Sequence, residues 1–142
     1  MNLPWSIGND RWFVQHAAND QWIVGSLHET MYLLNRETRH VWFLDCFYGD
    51  PTCAIVAENE QWILMGGDHL SLYDIFKGHL SEIDLPWVFA MRQTDTWKAE
   101  ILTDPWHEDA AVWAIDVQTK ELHLSRRFPD YIDQPYTEDV IW

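Results

Sequence analysis

The chain repeats itself, and that repeat restricts its fold more than any other feature. Ala17-Ala18-Asn19-Asp20-Gln21-Trp22-Ile23 returns forty residues on as Ala57-Glu58-Asn59-Glu60-Gln61-Trp62-Ile63, with five of seven positions identical. After a slip of one residue the match continues through Leu33 with Leu72, His40 with His79 and Asp45 with Asp84. A fainter third copy aligns Asn35–Arg39 with Asp116–Lys120, and Asn9–Val14 is a short early version. Self-similarity at a fixed period means that one supersecondary unit is used several times, each copy burying its apolar face on the next.

Each copy reads as strand, strand, polar turn, strand. Trp22-Ile23-Val24, Met31-Tyr32-Leu33-Leu34 and Val41-Trp42-Phe43-Leu44 are rich in β-branched and aromatic residues, with Asn, Asp and Gly between them. Val112–Ile115 and Leu122–Leu124 flank Gln118-Thr119-Lys120 as a hairpin, and Trp87–Met91 with Trp97–Ile101 forms another pair. The expected fold is therefore mainly β, an antiparallel meander closed into a sandwich or open barrel. It is one domain over 1–142, with repeat copies at 9–45, 49–84 and 97–125 and an acidic, aromatic tail at 129–142. Two segments also admit a short helix. Ser26-Leu27-His28-Glu29 has the form of a capping box with Leu27, Met31 and Leu34 on one face, and Asp68–Lys77 is stopped by Gly78. Whether 26–35 and 68–77 are helices or strands is open at this level.

The period resembles that of a β-propeller blade, a four-stranded unit with Trp and Asp in its loops. Three copies fall short of the four blades of the smallest usual ring. The resemblance therefore implies either a meander folded on itself or closure through copies of the same chain, a homo-oligomer.

Composition narrows the function. The chain has 142 residues, 23 acidic and 9 basic, for a formal charge of −14. Such a field repels nucleic acid and anionic membrane and speeds encounter with a cationic partner. The acids are also segregated. Between Arg39 and Lys77 there is no Lys or Arg, while Asp45, Asp50, Glu58, Glu60, Asp68 and Asp74 fall there. Between Lys98 and Lys120 come Glu100, Asp104, Glu108, Asp109 and Asp116, and after Arg127 come Asp130, Asp133, Glu138 and Asp139. One-signed patches are the expected result. Most of the ten tryptophans are expected in the core. Trp5, Trp12, Trp106 and Trp142, near Asn, Asp or Pro, are the candidates for exposure.

Catalytic signatures are missing. Trp106-His107-Glu108-Asp109 and Asp68-His69 match no metal-ligand spacing, and neighbours on a strand point to opposite faces. Six residues separate Cys46 from Cys53, outside zinc-knuckle spacing, and both are expected to be thiols. No serine has the flanking glycines of a nucleophile elbow, and Gly66-Gly67 is not followed by a phosphate-loop pattern. The chain is expected to be no enzyme and to use no metal or cofactor. With neither a signal-like N-terminus nor an apolar run of membrane length, a bacterial cytoplasmic location is the default.

In composition and charge distribution the chain resembles the small acidic immunity proteins of bacterial contact-dependent inhibition systems, which neutralise a cognate toxin that is often a basic nuclease. That resemblance implies occlusion. Carboxylates would take the place of nucleic-acid phosphates against the toxin's Lys and Arg, with aromatic anchors at the desolvated centre. The expected partner-binding residues are Asp45, Asp50, Glu58 and Glu60 around the Tyr48-Gly49-Asp50-Pro51 turn, then Asp104, Glu108 and Asp109. Asp130, Asp133, Glu138 and Asp139 of the tail follow, with Tyr131 and Trp142 as its aromatic anchors. The alternatives are a propeller-like or β-sandwich protein-interaction module without toxin inhibition, and a carbohydrate-binding domain.

Overall fold

The computed structural model describes residues 3–142. Twelve strands follow in order: β1 (Phe13–Ala18), β2 (Trp22–Leu27), β3 (Thr30–Asn35), β4 (Val41–Cys46), β5 (Cys53–Val56) and β6 (Trp62–Gly66), then β7 (Leu70–Asp74), β8 (His79–Ile83), β9 (Val88–Asp95), β10 (Lys98–Thr103), β11 (Ala111–Asp116) and β12 (Glu121–Arg127). They form three separate four-stranded antiparallel sheets, β1–β4, β5–β8 and β9–β12, each a meander of consecutive strands. The expected antiparallel meander is present. It is cut into three sheets packed in series, with no closed barrel among them. The only helical elements among the described residues are 3₁₀ turns at Trp5–Asn9 and Pro129–Tyr131.

The turns explain the repeat. In each sheet the connection between third and fourth strands starts with Asn35, Asp74 or Asp116 and ends with Arg39, Gly78 or Lys120. The closing residue is left-handed, with φ of 65°, 61° and 65°. Its N–H donates to the carbonyl of the first residue at 2.9, 2.8 and 2.7 Å. The opening side chain accepts backbone N–H groups within the turn, at 2.9 and 3.1 Å for Asn35, 2.9 Å for Asp74, and 2.9 and 3.2 Å for Asp116. These Asx bonds help offset the roughly 1–2 kcal/mol that a left-handed residue with a Cβ costs. Asn19 and Asn59 do the same for the β1–β2 and β5–β6 turns, accepting from Gln21 and Gln61 at 3.0 Å each.

The two segments with helical alternatives are strands and turns. His28-Glu29 forms a two-residue connection with Leu27 opposite Thr30, and His28 takes φ 57°. Met31 and Leu33 then face the second sheet. Gly78 does end its segment, but it closes a turn after β7 rather than a helix.

Period-two alternation divides the core into layers. β6 is buried along its whole length. Its Ile63 and Met65 join Trp22, Val24, Met31, Leu33 and Leu44 between the first and second sheets. Its Trp62 and Leu64 join Leu72, Ala99, Ile101 and Ile115 between the second and third. A strand buried on both faces reads as a continuous apolar run, as Trp62–Met65 does. Of the tryptophans only Trp22 and Trp62 are buried, contrary to the expected majority, while Trp12, Trp42 and Trp87 are exposed. Three thin sheets in series have much edge and end surface, and the large indoles lie at those margins.

Both end faces are covered by the chain. The Trp5–Asn9 turn lies against the first sheet so closely that a Cβ on Gly8 would sit 2.7 Å from Leu34 Cδ2. On the far face of the third sheet, Leu102, Ala110, Val112 and Phe128 are covered by Tyr131, Val140 and Trp142 of the tail.

Candidate functional site

A meander sends alternate connections to opposite ends of its sheets, so the parity of a connection decides which end its charges occupy. One end gathers 28–29, 47–52, 67–69, 84–87 and 104–110. These connections carry Glu29, Asp50, Asp68, Asp84, Asp104, Glu108 and Asp109, and no Lys or Arg. The opposite end gathers 19–21, 36–40, 57–61, 75–78, 96–97 and 117–120. There Asp20, Glu37, Glu58 and Glu60, with Asp74, Asp95 and Asp116 at the adjoining strand ends, are interspersed with Arg36, Arg39, Lys77, Lys98 and Lys120. The connections at the first end carry acids alone, and those at the second mix both signs.

Arginines that reach the acidic end from its margins are already engaged. The Arg11 guanidinium lies 4.8 Å from the Trp12 ring centroid, that of Arg126 lies 5.1 Å from Phe128, and Arg127 lies 3.7 Å from Asp109.

At this acidic end, between the second and third sheets and the tail, lies a concavity of ≈ 540 Å³. Asp50, Asp68, Asp104 and Glu138 line it together with Tyr48, Trp87, Phe89, Trp106 and Tyr136, and no basic residue among the described ones does. Its parts are fixed to one another. The Tyr48 N–H donates to Asp68 Oδ1 at 2.8 Å, across twenty residues of sequence. Thr52 Oγ1 donates to the Val88 carbonyl at 2.6 Å, tying the β4–β5 loop to the third sheet. Trp87 is left-handed, φ 57°, an unusual conformation for so bulky a residue, and its side chain is 59% exposed. Its N–H donates to the Asp68 carbonyl at 3.3 Å, and its own carbonyl accepts the Asp104 N–H at 2.9 Å. Asp104 Oδ1 accepts the Trp106 N–H at 3.0 Å. The Trp106 ring lies 5.4 Å from Phe89 and 5.0 Å from Tyr136.

Behind the concavity His69 joins the first two sheets. Its Nε2 is 2.8 Å from Asp45 Oδ2, its Nδ1 is 3.2 Å from Asp68 Oδ1, and its ring stacks on Phe47 at 4.3 Å. Burial lowers the imidazole pKa, but the hydrogen bonds and charges of Asp45 and Asp68 outweigh it and raise the net value above 6.5. Ser71 Oγ also donates to Asp45.

The expected partner-binding residues separate accordingly. Asp50, Asp104 and Glu138 meet at the concavity. Glu108 and Asp109 are exposed on the adjacent β10–β11 loop. The Asp45 carboxylate is occupied by His69 and Ser71 and only 19% exposed. Glu58 and Glu60 sit at the opposite end, where Glu60 accepts from Asn19 at 3.3 Å. Asp130, Asp133 and Asp139 are exposed along the tail. Tyr131 and Trp142 fasten that tail. Tyr131 stacks on Phe128 at 5.8 Å and its hydroxyl accepts the Ile141 N–H at 3.0 Å. Arg92 stacks over Trp142 at 4.0 Å, donates to its carbonyl at 2.6 Å and pairs with Glu100 at 2.9 Å.

Sequence reasoning did not single out Asp68, Trp87, Phe89 or Tyr136 for this site. It grouped acids by runs along the chain; grouping them by alternate connections would have found the one-signed end. Of the four tryptophans expected at the surface, Trp12 is exposed and Trp5, Trp106 and Trp142 are half-buried. Cys46 and Cys53 are free thiols, the latter's pKa pushed up to about 11 by burial against the lowering hydrogen bond of Thr52. Among the described residues no three His, Cys, Asp or Glu side chains are grouped to hold a metal ion, and no helix is long and apolar enough to cross a membrane.

No family model matches the chain, and no curated protein matches it significantly. Solved structures do. The β-propeller domain of the Trilobed protease from Pyrococcus furiosus, described as having an open velcro topology, matches with a TM-score of 0.62 at 13% identity over 82% of this chain and 43% of that one. The tricorn protease matches at 0.58 with 9% identity over 78% of this chain and 12% of that one. Pyrococcus horikoshii acylaminoacyl peptidase matches at 0.58 with 9% identity over 90% of this chain and 27% of that one. The chain thus spans less than half the length of each of these proteins. At such identities the likeness concerns the fold alone. The three sheets are arranged as β-propeller blades in an open, side-by-side set.

Proposed function

We propose that the chain is a non-enzymatic protein-interaction module that receives a cationic protein at the acidic end of its blades. The observation that carries this is the sorting of charge. Seven carboxylates occupy the connections at that end without a Lys or Arg among them, whereas at the opposite end acids and bases are interspersed. A surface used only for solubility has no need of such sorting. A one-signed end bearing an aromatic-lined concavity combines electrostatic steering with a place for desolvated anchors.

In its finer form the proposal is toxin immunity. The partner is a basic toxin domain such as a nuclease, and the acidic end covers the surface that otherwise meets phosphates. The test is co-expression with the product of an adjacent gene encoding a basic, growth-inhibiting protein. Protection of the cells and a complex that dissociates between about 50 mM and 500 mM salt are expected, since exposed charges are screened over that range. No complex and no protection would count against immunity. A salt-sensitive complex with a non-toxic basic protein would leave only the broader module. The exposed Trp87 ring beside Asp104 also suits sugar stacking, and glycan-array binding unaffected by salt would favour that second reading.

A further inference from the structure

We infer that the anchor of the cationic partner is an arginine side chain seated in the concavity, against the rings of Trp87, Trp106 and Tyr136 and the carboxylates of Asp104 and Glu138. This rests on the cationic-partner reading and narrows it to one residue type.

Three observations point to a guanidinium rather than an ammonium. Carboxylates and aromatic rings line the same hollow, and among the described residues no cation enters it. A planar guanidinium can lie on a ring face while its N–H fork reaches carboxylates at its edge. An ammonium is a compact, strongly hydrated charge that gains less from the ring. Trp87 meanwhile projects its side chain from a left-handed backbone held by two neighbouring loops. A bulky residue kept in that conformation and left largely in solvent is typical of a functional constraint.

The third observation is that the molecule already builds this arrangement elsewhere. Arg92 lies over the Trp142 ring at 4.0 Å while donating to Glu100 and to the Trp142 carbonyl. The Arg39 guanidinium likewise lies 4.4 Å from the Trp5 centroid. The concavity presents rings and carboxylates of the same kinds.

The experiment compares fluorescein-labelled hexa-arginine and hexa-lysine peptides by anisotropy at about 50 mM salt, where exposed charges still attract strongly. Equal formal charge separates shape from electrostatics. Hexa-arginine is expected to bind about fivefold more tightly, the size of a cation–π contribution near 1 kcal/mol. Trp87→Ala should abolish that preference. Asp104→Asn with Glu138→Gln should weaken both peptides about tenfold, as loss of two partly exposed charge partners would. Asn at 104 keeps the oxygen that accepts the Trp106 N–H. Glu58→Gln with Glu60→Gln, at the opposite end, should change neither peptide by more than about twofold. Trp87→Phe, retaining a ring, should keep most of the preference. If Trp87→Ala does not fold, Tyr136→Ala, which removes an exposed ring of the same site, should narrow the preference in its place.

Failure of both peptides to bind the wild-type protein would overturn the cationic-partner reading, and the anchor with it. Equal binding of the two peptides, wild-type selectivity in Trp87→Ala, or losses as large in the opposite-end control would overturn the arginine anchor and leave that reading standing.

Discussion

Arg92 fastens the tail, and replacing it with alanine should loosen that strap without unfolding the sheets. The wild-type guanidinium makes three contacts that can be sized separately. Its pair with Glu100 joins groups that are 44% and 25% exposed, so solvent screening leaves it about 0.5 kcal/mol. The stack over Trp142 at 4.0 Å contributes about 0.5–1 kcal/mol at an exposed site. The hydrogen bond to the Trp142 carbonyl adds about 1 kcal/mol. Because the contacts share one side chain their sum is an upper bound, and about 2 kcal/mol is the expected loss. That makes the strap open some 25-fold more often.

Tyr131, Val140 and Phe128 remain in Arg92→Ala, so the tail stays docked most of the time. Native-state exchange of the Ile141 amide, which donates to Tyr131 Oη, reads the opening directly. Exchange at Ile101 and Leu64, buried inside the sheets, should be far less affected. Arg92→Lys keeps the charge, loses the planar stack, and should fall between the two. An unchanged Ile141 exchange rate in Arg92→Ala would refute this account of the tail, and equal acceleration at Leu64 would show that it is no separable strap.

Phe128→Ala removes a side chain that is 1% exposed between the third sheet and the tail, and should cost about 3–5 kcal/mol in denaturant unfolding. Gly78→Ala puts a Cβ at φ 61° and should cost about 1 kcal/mol, read as a lower midpoint with unchanged slope. His69 has a raised folded pKa, so its stabilising charge is fully present below pH 6.5 and is lost as pH rises through the folded value. His69→Gln should therefore flatten the decline in stability above pH 6.5. His16, whose pKa burial lowers, acts in the opposite sense, and its contribution is lost as pH falls below 6.5. His16→Gln should reduce acid-side destabilisation, and a two-variant pH series of urea midpoints checks both signs.

How far the sequence reached can be judged from particular elements. The strands around Trp22, Trp62, Val112 and Leu122 were legible because β-branched and aromatic runs alternate with Asx-rich turns. The match of Asn35–Arg39 with Asp116–Lys120 was legible because one turn geometry demands one pattern of residues. The segments 26–35 and 68–77 were ambiguous for a physical reason. Leu27, Met31 and Leu34 suit a helical face as well as a strand, and only the pairing of Met31 with Ser26 and Asp45 excludes the helix. Tyr131 and Trp142 were expected to anchor a partner, but they pack on Phe128 and Arg92 of the chain itself. The Phe128–Tyr131 contact is local, across one 3₁₀ turn, whereas Arg92 meets Trp142 fifty residues away, which no local rule relates.

By itself, the sequence determined local features: most of the strands, the Asx-rich turns between them, and that the same unit recurs. Those follow from steric and hydrogen-bonding preferences acting over a few residues. Tertiary structure decided which carboxylates face the same way and which are already bound. Asp50, Asp104 and Glu138 are far apart in the chain and line one hollow, whereas Asp45, five residues from Asp50, is spent on His69 and Ser71. Long-range electrostatics depends on distance through space, which strand direction and sheet order fix. Separation along the chain does not.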